Sequence, residues 1–373
     1  MSLPRLRTVL DTMPSYQPSE GVYTSEGGLR LLSANESPYQ PLPGITEAIA
    51  RAGATVNRYP DPGCTALTRA LAQVHGIAEE RIVIGAGSVA LLQTLFQTIA
   101  EPGAEVVHAW PSFELYPVLA GLAGVTSTPV PLVDGAHDLR TMADRITPHT
   151  RMVIVCNPNN PTGTAVTPDE LGRFIARVPP TCLVALDEAY YEYVRSSPAT
   201  TGLAYGAAHP NVVVLRTFSK AYGLAGLRIG YLVGDARVVR TLRKVGLAYA
   251  VSTVAQQAAV EALALQAQLM RHVDSTVEER TRVHDALVRD GWTVPASQAN
   301  FLWLPLGEDA AAFGRWCTRQ GIAVRPFPGE GVRVTIGSAE DNDAFLTAAG
   351  TWRTTRFSAV NGQERAGQGT VEK

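Results

Sequence analysis

From about residue 80 to 235 the chain alternates short apolar runs with longer segments whose mixed polarity suits helices. The runs are RIVIGAG (81–87), AEVVHAW (104–110), RMVIVC (151–156), CLVALD (182–187), NVVVLR (211–216) and IGYLV (229–233). They are rich in valine and isoleucine and nearly continuous, as strands covered on both faces are. Most are separated by segments long enough to hold a crossover helix. That order predicts an α/β fold with a mainly parallel sheet between layers of helices. The last two runs lie closer together, which allows a turn and an antiparallel partner.

Beyond about residue 235 the pattern changes. A stretch rich in alanine, leucine and charge (236–289) predicts one or two amphipathic helices. NFLWLPL (300–306) then reads as a strand, 308–320 as a helix, IAVRPF (322–327) and VRVTIG (332–337) as strands, and the chain from about 340 as a helix. This α+β order predicts a smaller C-terminal domain. The expected division is an N-terminal arm (1–43) carrying Pro14, Pro18, Pro38, Pro41 and Pro43, a large domain (44–245), a small domain (246–353) and a polar, disordered tail (354–373).

Composition narrows the function classes. With 373 residues, 46% hydrophobic and 18% charged, the chain can bury a sizeable core. A formal net charge of −2 gives no broad basic field for nucleic acid or anionic lipid, so recognition of anions must be local. No segment approaches the apolar length of a membrane span, and the first residues hold no apolar run suited to export. Cys64, Cys156, Cys182 and Cys317 form no C-x-x-C pair and read as core thiols in a reducing compartment. A cytoplasmic enzyme is the expectation.

Four places can carry chemistry, each where an apolar run ends or just beyond, the edge at which open α/β sheets bind ligands. Gly85-Ala86-Gly87-Ser88 opens a helix and can present free N–H groups to an anion, or be an ordinary tight turn with Ser88 as N-cap. The G-x-G-x-x-G spacing is missing, which disfavours a nicotinamide dinucleotide. Asn157-Pro158-Asn159-Asn160-Pro161-Thr162-Gly163 is a rigid turn with amide side chains, functional or structural. Asp187 closes the run CLVALD, where a carboxylate must find donors or a cation, or else cap a helix. Lys220 lies in TFSKAYGLAGLR (217–228), where small residues can desolvate an amine, although a lone lysine commonly faces water. Together these are the parts that hold pyridoxal 5′-phosphate: an anion cradle, a carboxylate for the ring nitrogen and a lysine for the aldehyde.

In this order, NPNNPTG, DEAY and RTFSKAYGLAGLRIGY resemble the fold-type I pyridoxal-phosphate aminotransferases, and most of all the histidinol-phosphate aminotransferase group. GAGSVALLQTLF, WPSFELYP and NRYPDPGC are similar to its branch of actinobacterial aromatic amino acid aminotransferases. The resemblance covers about residues 10–353 and implies a seven-stranded sheet. It implies that Lys220 forms the Schiff base with the cofactor and moves the proton at Cα. Asp187 would pair with the pyridinium, Tyr190 and Asn157 would bond the phenolic oxygen, and Phe113 would stack on the ring. Ser88, Ser219 and Arg228 would bind the phosphate, and Tyr59 would reach it from a neighbouring subunit, implying a homodimer. Many relatives carry an acidic pair where this chain has Val89-Ala90. A backbone N–H contact at Val89 survives that change, which favours the aromatic branch.

For substrate, the resemblance implies that Arg333 grips a carboxylate as a bidentate fork with Arg325 nearby, and that Asn35 and Tyr16 close the site. Arg325 could instead sit in a structural ion pair, and Tyr16 could only pack. Tyr16, Phe113 and Tyr116 suit an aromatic side chain, although an imidazole also fits. The expected function is transamination between an aromatic L-amino acid and 2-oxoglutarate, with no metal. Its rivals are a histidinol-phosphate aminotransferase, a threonine-phosphate decarboxylase-like lyase and a non-catalytic protein on the same scaffold.

Overall fold

A computed structural model describes residues 7–13, 28–196 and 201–368. Its strands are β1 (Arg30–Leu31), β2 (Ile82–Gly85), β3 (Glu105–Trp110), β4 (Thr126–Pro131), β5 (Thr150–Cys156), β6 (Leu183–Asp187), β7 (Val212–Thr217), β8 (Gly230–Val233), β9 (Phe301–Leu304), β10 (Ile322–Ala323), β11 (Arg325–Phe327) and β12 (Gly331–Thr335). The described chain forms two compact units. The first holds 7–13, Tyr39–Ser275 and Ser297–Ala299, and the second holds 28–38, Thr276–Ala296 and Asn300 onward.

In the first unit, seven strands form one sheet in the order β2-β8-β7-β6-β5-β3-β4. Neighbours from β7 through β4 run parallel, and β8 is antiparallel to both β2 and β7. Alternation along each strand feeds two apolar layers. Met152, Ile154 and Cys156 pack with Leu91, Leu92, Leu95 and Phe96 of the helix Gly87–Ile99. Val153 and Val155 pack on the opposite face with Leu171, Phe174 and Ile175 of the helix Pro168–Arg177. That second helix is started by a capping box, Thr167 with Glu170. With both faces covered, the strands need apolar residues on both, which is why their sequences run on without alternating.

The stretch 236–289 forms three helices, Ala236–Val245, Thr253–Ala264 and Gln266–Arg289, where one or two are expected. The middle helix lays Ala255, Ala258, Ala259 and Ala262 into the first unit, against the helices Pro43–Gly53 and Thr65–His75. Alanine allows that close approach, and it carries the first unit to Ser275 rather than to residue 245. In the second unit, β11-β12-β9 form an antiparallel sheet, and β1 pairs in parallel with β10, so part of the expected arm belongs to this unit. Its core joins Leu302, Val332 and Val334 to Phe313 and Phe345. The last helix, Ala339–Gln368, covers 354–368 of the stretch read from sequence as a disordered tail, and 369–373 lie outside the described residues. No helix among the described residues is long and apolar enough to cross a membrane.

Candidate active site

The carboxyl ends of β2, β3, β5, β6 and β7 share one edge of the sheet, and the chemistry-bearing residues gather there. Register puts Cys156, at the end of β5, beside Asp187, at the end of β6, and puts Leu215 of β7 on the other side of Asp187.

Asp187 is 3% exposed. Its Oδ2 accepts a hydrogen bond from the Tyr116 hydroxyl at 2.8 Å, and its Oδ1 accepts the Ala189 N–H at 3.3 Å. Neither partner is a cation. Burial therefore pushes the carboxyl up to about 6, against the opposing pull of the Tyr116 hydroxyl. A buried carboxylate in that position can pair with a cationic ring nitrogen.

Asn157 follows β5. Its backbone N–H donates to the Asp187 carbonyl at 2.9 Å, and its side-chain Oδ1 accepts from the Val166 N–H at 2.9 Å. The amide oxygen is thereby engaged within the protein, and the Nδ2 group is the end that can donate to a ligand. The turn beyond it is tied by Asn159, whose Nδ2 donates to Thr162 Oγ1 at 2.9 Å and whose Oδ1 accepts from Ser112 Oγ at 2.7 Å.

Lys220 leaves the end of β7 in a loop closed by Phe218 N–H to Ile229 O at 3.1 Å and Leu224 N–H to Phe218 O at 2.9 Å. The lysine is half-buried, and its Nζ lies 5.9 Å from the centroid of the buried Tyr190 ring. Phe113, half-buried, meets the Tyr116 ring edge-on with centroids 5.5 Å apart.

An anion cradle stands at the start of the helix Gly87–Ile99, where the N–H groups of Gly87, Ser88 and Val89 belong to the unsatisfied first turn. Arg228 faces it: its Nη1 donates to Ser219 Oγ at 3.3 Å and to the Ala225 carbonyl at 2.8 Å. A Cβ on Gly87 would meet Arg228 Nη2 at 2.7 Å, and one on Gly230 would meet the Ser88 nitrogen at 2.8 Å. Glycine at both points lets the guanidinium and the helix terminus converge. Backbone N–H groups, a hydroxyl and a guanidinium around so close-built a cradle fit a phosphate monoester, so these residues fit the phosphate of pyridoxal phosphate.

In the second unit, Arg333 is buried, its Nη2 donates to the Ser33 carbonyl at 2.5 Å, and its guanidinium lies over the Phe301 and Phe327 rings. Arg325 is its direct cross-strand partner. Two cationic side chains thus stand opposite one another on the antiparallel pair. Asn35 sits at a left-handed φ of 55°, held by its N–H to Thr335 Oγ1 at 2.9 Å and by Asn300 Nδ2 to its carbonyl at 3.2 Å. Tyr16 lies outside the described residues. Tyr59 is 84% exposed, with its ring 4.9 Å from that of Tyr249.

The family model for class I and II aminotransferases matches residues 29–348. The chain belongs to that family. This aminotransferase is 55% identical over 349 residues to the aromatic amino acid aminotransferase of Thermobifida fusca, covering 94% of this chain and 97% of that protein. It is 48% identical over 351 residues to the Streptomyces coelicolor protein of the same name, covering 94% and 98%. Among solved structures, histidinol-phosphate aminotransferase from Sinorhizobium meliloti in complex with pyridoxal-5′-phosphate matches with a TM-score of 0.85 at 28% identity, over 93% of this chain and 97% of that one. L-threonine-O-3-phosphate decarboxylase from Porphyromonas gingivalis shares the fold at 23% identity, with a TM-score of 0.76 over 87% and 99%.

Two features of the aminotransferase depart from the sequence reading. Tyr116 is expected against substrate, yet it is fully buried and bonded to Asp187. The helix Leu115–Ala123 turns it into the core, and an isolated aromatic letter carries no sign of that direction. The second is the buried pair Glu188–Arg216, which goes unnoticed in the sequence: Arg216 Nε and Nη2 reach Glu188 Oε2 at 3.0 and 2.8 Å. An arginine inside the otherwise apolar run NVVVLR is the signal that could have found it.

Proposed function

We propose that this chain is a pyridoxal-phosphate-dependent aminotransferase that moves the amino group between an aromatic L-amino acid and 2-oxoglutarate by ping-pong transamination. One arrangement carries the reading: the carboxylate of Asp187, the amine of Lys220 and the Gly87–Arg228 cradle stand along one sheet edge, each matched to a different part of the cofactor. The aromatic donor is supported by the names of relatives that share 48–55% of their residues with nearly the whole chain. Bound pyridoxal phosphate supplies an electron sink for negative charge at the substrate Cα.

The residues do the rest. The first-turn N–H groups of Ser88 and Val89, Ser219 Oγ and the Arg228 guanidinium would bind the phosphate. Asp187 would hold the ring nitrogen, Tyr190 and the Asn157 amide would hold the phenolic oxygen, and Phe113 would cover the ring. Lys220 Nζ is the amine that would hold the aldehyde carbon and, when free, would move the proton at the substrate Cα as a general base and acid. Arg333, with Arg325 opposite, would bind the substrate carboxylate, with Asn35 in the same unit. The exposed Val56, Tyr59, Leu247 and Tyr249 suit a subunit interface, in a homodimer where Tyr59 serves the partner's phosphate. Four buried free thiols suit the cytoplasm.

The test is kcat/KM for phenylalanine, tyrosine, tryptophan and histidinol phosphate with 2-oxoglutarate as acceptor. A clear preference for the aromatic acids is expected. A large advantage for histidinol phosphate would reject the proposed donor, and release of carbon dioxide with an amine product would reject transamination in favour of a lyase.

A further inference from the structure

We infer that Tyr116 is a positioning residue acting through Asp187: its hydroxyl holds the carboxylate ionised and aimed, so that the proton between Asp187 and a bound pyridine ring stays on the ring nitrogen. The inference rests on the pyridoxal-phosphate reading and adds to it a residue whose side chain is closed off from solvent.

The geometry is specific. The two bonds described for the Asp187 oxygens are unequal, a 2.8 Å bond from the Tyr116 hydroxyl to Oδ2 and a 3.3 Å contact from the Ala189 N–H to Oδ1. The shorter one is charge-assisted, and it favours the ionised carboxylate. Cys156, the register neighbour of Asp187, cannot supply charge, because burial pushes its thiol up to about 12. Its Sγ–H points to the Pro158 carbonyl at 3.5 Å.

The phenol is also held in direction. Its ring is met edge-on by Phe113 at 5.5 Å and by His108 at 5.9 Å, and the histidine is pinned through the Ala109 carbonyl and Ser127 Oγ, each at 2.8 Å. Without the hydroxyl, a carboxylate buried this deeply competes for the ring proton, and the ring loses electron demand. Tyr116 never touches the reacting atoms; it sets the basicity of the group that does.

The experiment uses holoenzyme reconstituted with pyridoxal phosphate labelled with 15N at the ring nitrogen. In Tyr116→Phe the 15N resonance is expected to move toward the neutral-pyridine position. The kcat for phenylalanine is expected to fall about ten- to hundredfold, the worth of one hydrogen bond to a charged group, with KM little changed. In an Asp187→Asn background the same substitution should cost almost nothing more. Fluorotyrosine at position 116, a stronger donor with the ring kept, should move the resonance the opposite way, and it serves if the phenylalanine variant folds poorly. An unmoved resonance in both variants, or an equal loss with and without Asp187, overturns the inference and leaves the cofactor reading standing. Failure of the unmodified chain to take up the labelled cofactor overturns both.

Discussion

Gly87 and Arg228 are built against each other: the glycine has a φ of 81°, and a Cβ there would lie 2.7 Å from the guanidinium Nη2. The helix terminus and the cation can share one anion only because no side chain separates them. Gly87→Ala should therefore cost about 1 kcal/mol in left-handed backbone strain and also displace the guanidinium. Fluorescence titration of cofactor-free protein should show pyridoxal phosphate bound at least about tenfold more weakly. Unchanged affinity would mean that the phosphate binds elsewhere.

Lys220 stands half-buried at the mouth of a loop closed on itself, with the Tyr190 ring beneath its Nζ. If its amine moves the proton at Cα, Lys220→Ala should lower kcat by about 10³-fold or more, since general-base transfer alone contributes about 10²–10⁴. Borohydride reduction of the unaltered enzyme, followed by peptide mass analysis, should put the pyridoxyl mass on the peptide holding Lys220. Its appearance on another lysine would undo the assignment.

Gly87 and Lys220 stand out in the sequence for the same reason as most of the sheet. A strand covered on both faces must be apolar throughout, so a glycine, carboxylate or lysine directly after it is conspicuous. β4, Thr126–Pro131, escaped the reading because it is an edge strand of threonine, serine and proline that pairs, among the described strands, with β3 alone. The break between the helices Thr253–Ala264 and Gln266–Arg289 has no glycine or proline to mark it. Tyr116 was visible as an aromatic residue but not as the partner of Asp187. That pairing joins positions 71 residues apart, and it is made by packing rather than by any local pattern.

Asp187 gives the cofactor-free protein a distinctive pH dependence. Its folded carboxyl keeps a proton up to about pH 6 because it is buried, whereas an unfolded aspartate releases it near about 4. The folded state thus binds the extra proton between those values, and the stability it brings is complete below about pH 4 and lost as pH rises through about 6. The loss is of order 3 kcal/mol. Urea unfolding of the cofactor-free protein should show that decline relative to Asp187→Asn, in which the other titrating groups are shared. Parallel pH curves for the two proteins would contradict it.

Arg333 offers a planar fork fixed by the Ser33 carbonyl and by the Phe301 and Phe327 rings, a setting that an ammonium cannot reproduce. Arg333→Lys keeps the charge but loses the two-point grip, worth about 1.5–3 kcal/mol for hydrogen bonds to a charged group. Steady-state kinetics should show kcat/KM lowered at least about tenfold for both the amino acid and 2-oxoglutarate, because both present a carboxylate. A loss confined to one of them would restrict the arginine to that half-reaction.

The Glu188–Arg216 pair sits directly behind the site, since Glu188 follows Asp187 in the chain. Both side chains are about 95% or more buried, Glu188 Oε1 also accepts the Gly202 N–H at 2.6 Å, and the guanidinium lies 4.0 Å from the Tyr191 ring centroid. Removing one partner strands the other charge in a dry interior, at a cost of about 3–5 kcal/mol. Glu188→Ala should therefore lower the melting temperature by about 10 °C in this large unit, and Glu188→Gln, which keeps acceptors for Arg216 and the Gly202 N–H, by less. Replacing Arg216 by Met in the Glu188→Ala protein should recover part of the loss, because the orphaned guanidinium goes with it. If the double variant is instead as unstable as the two single losses added together, the damage lies in the packing around Gly202 and Tyr191, and the ion pair contributes little.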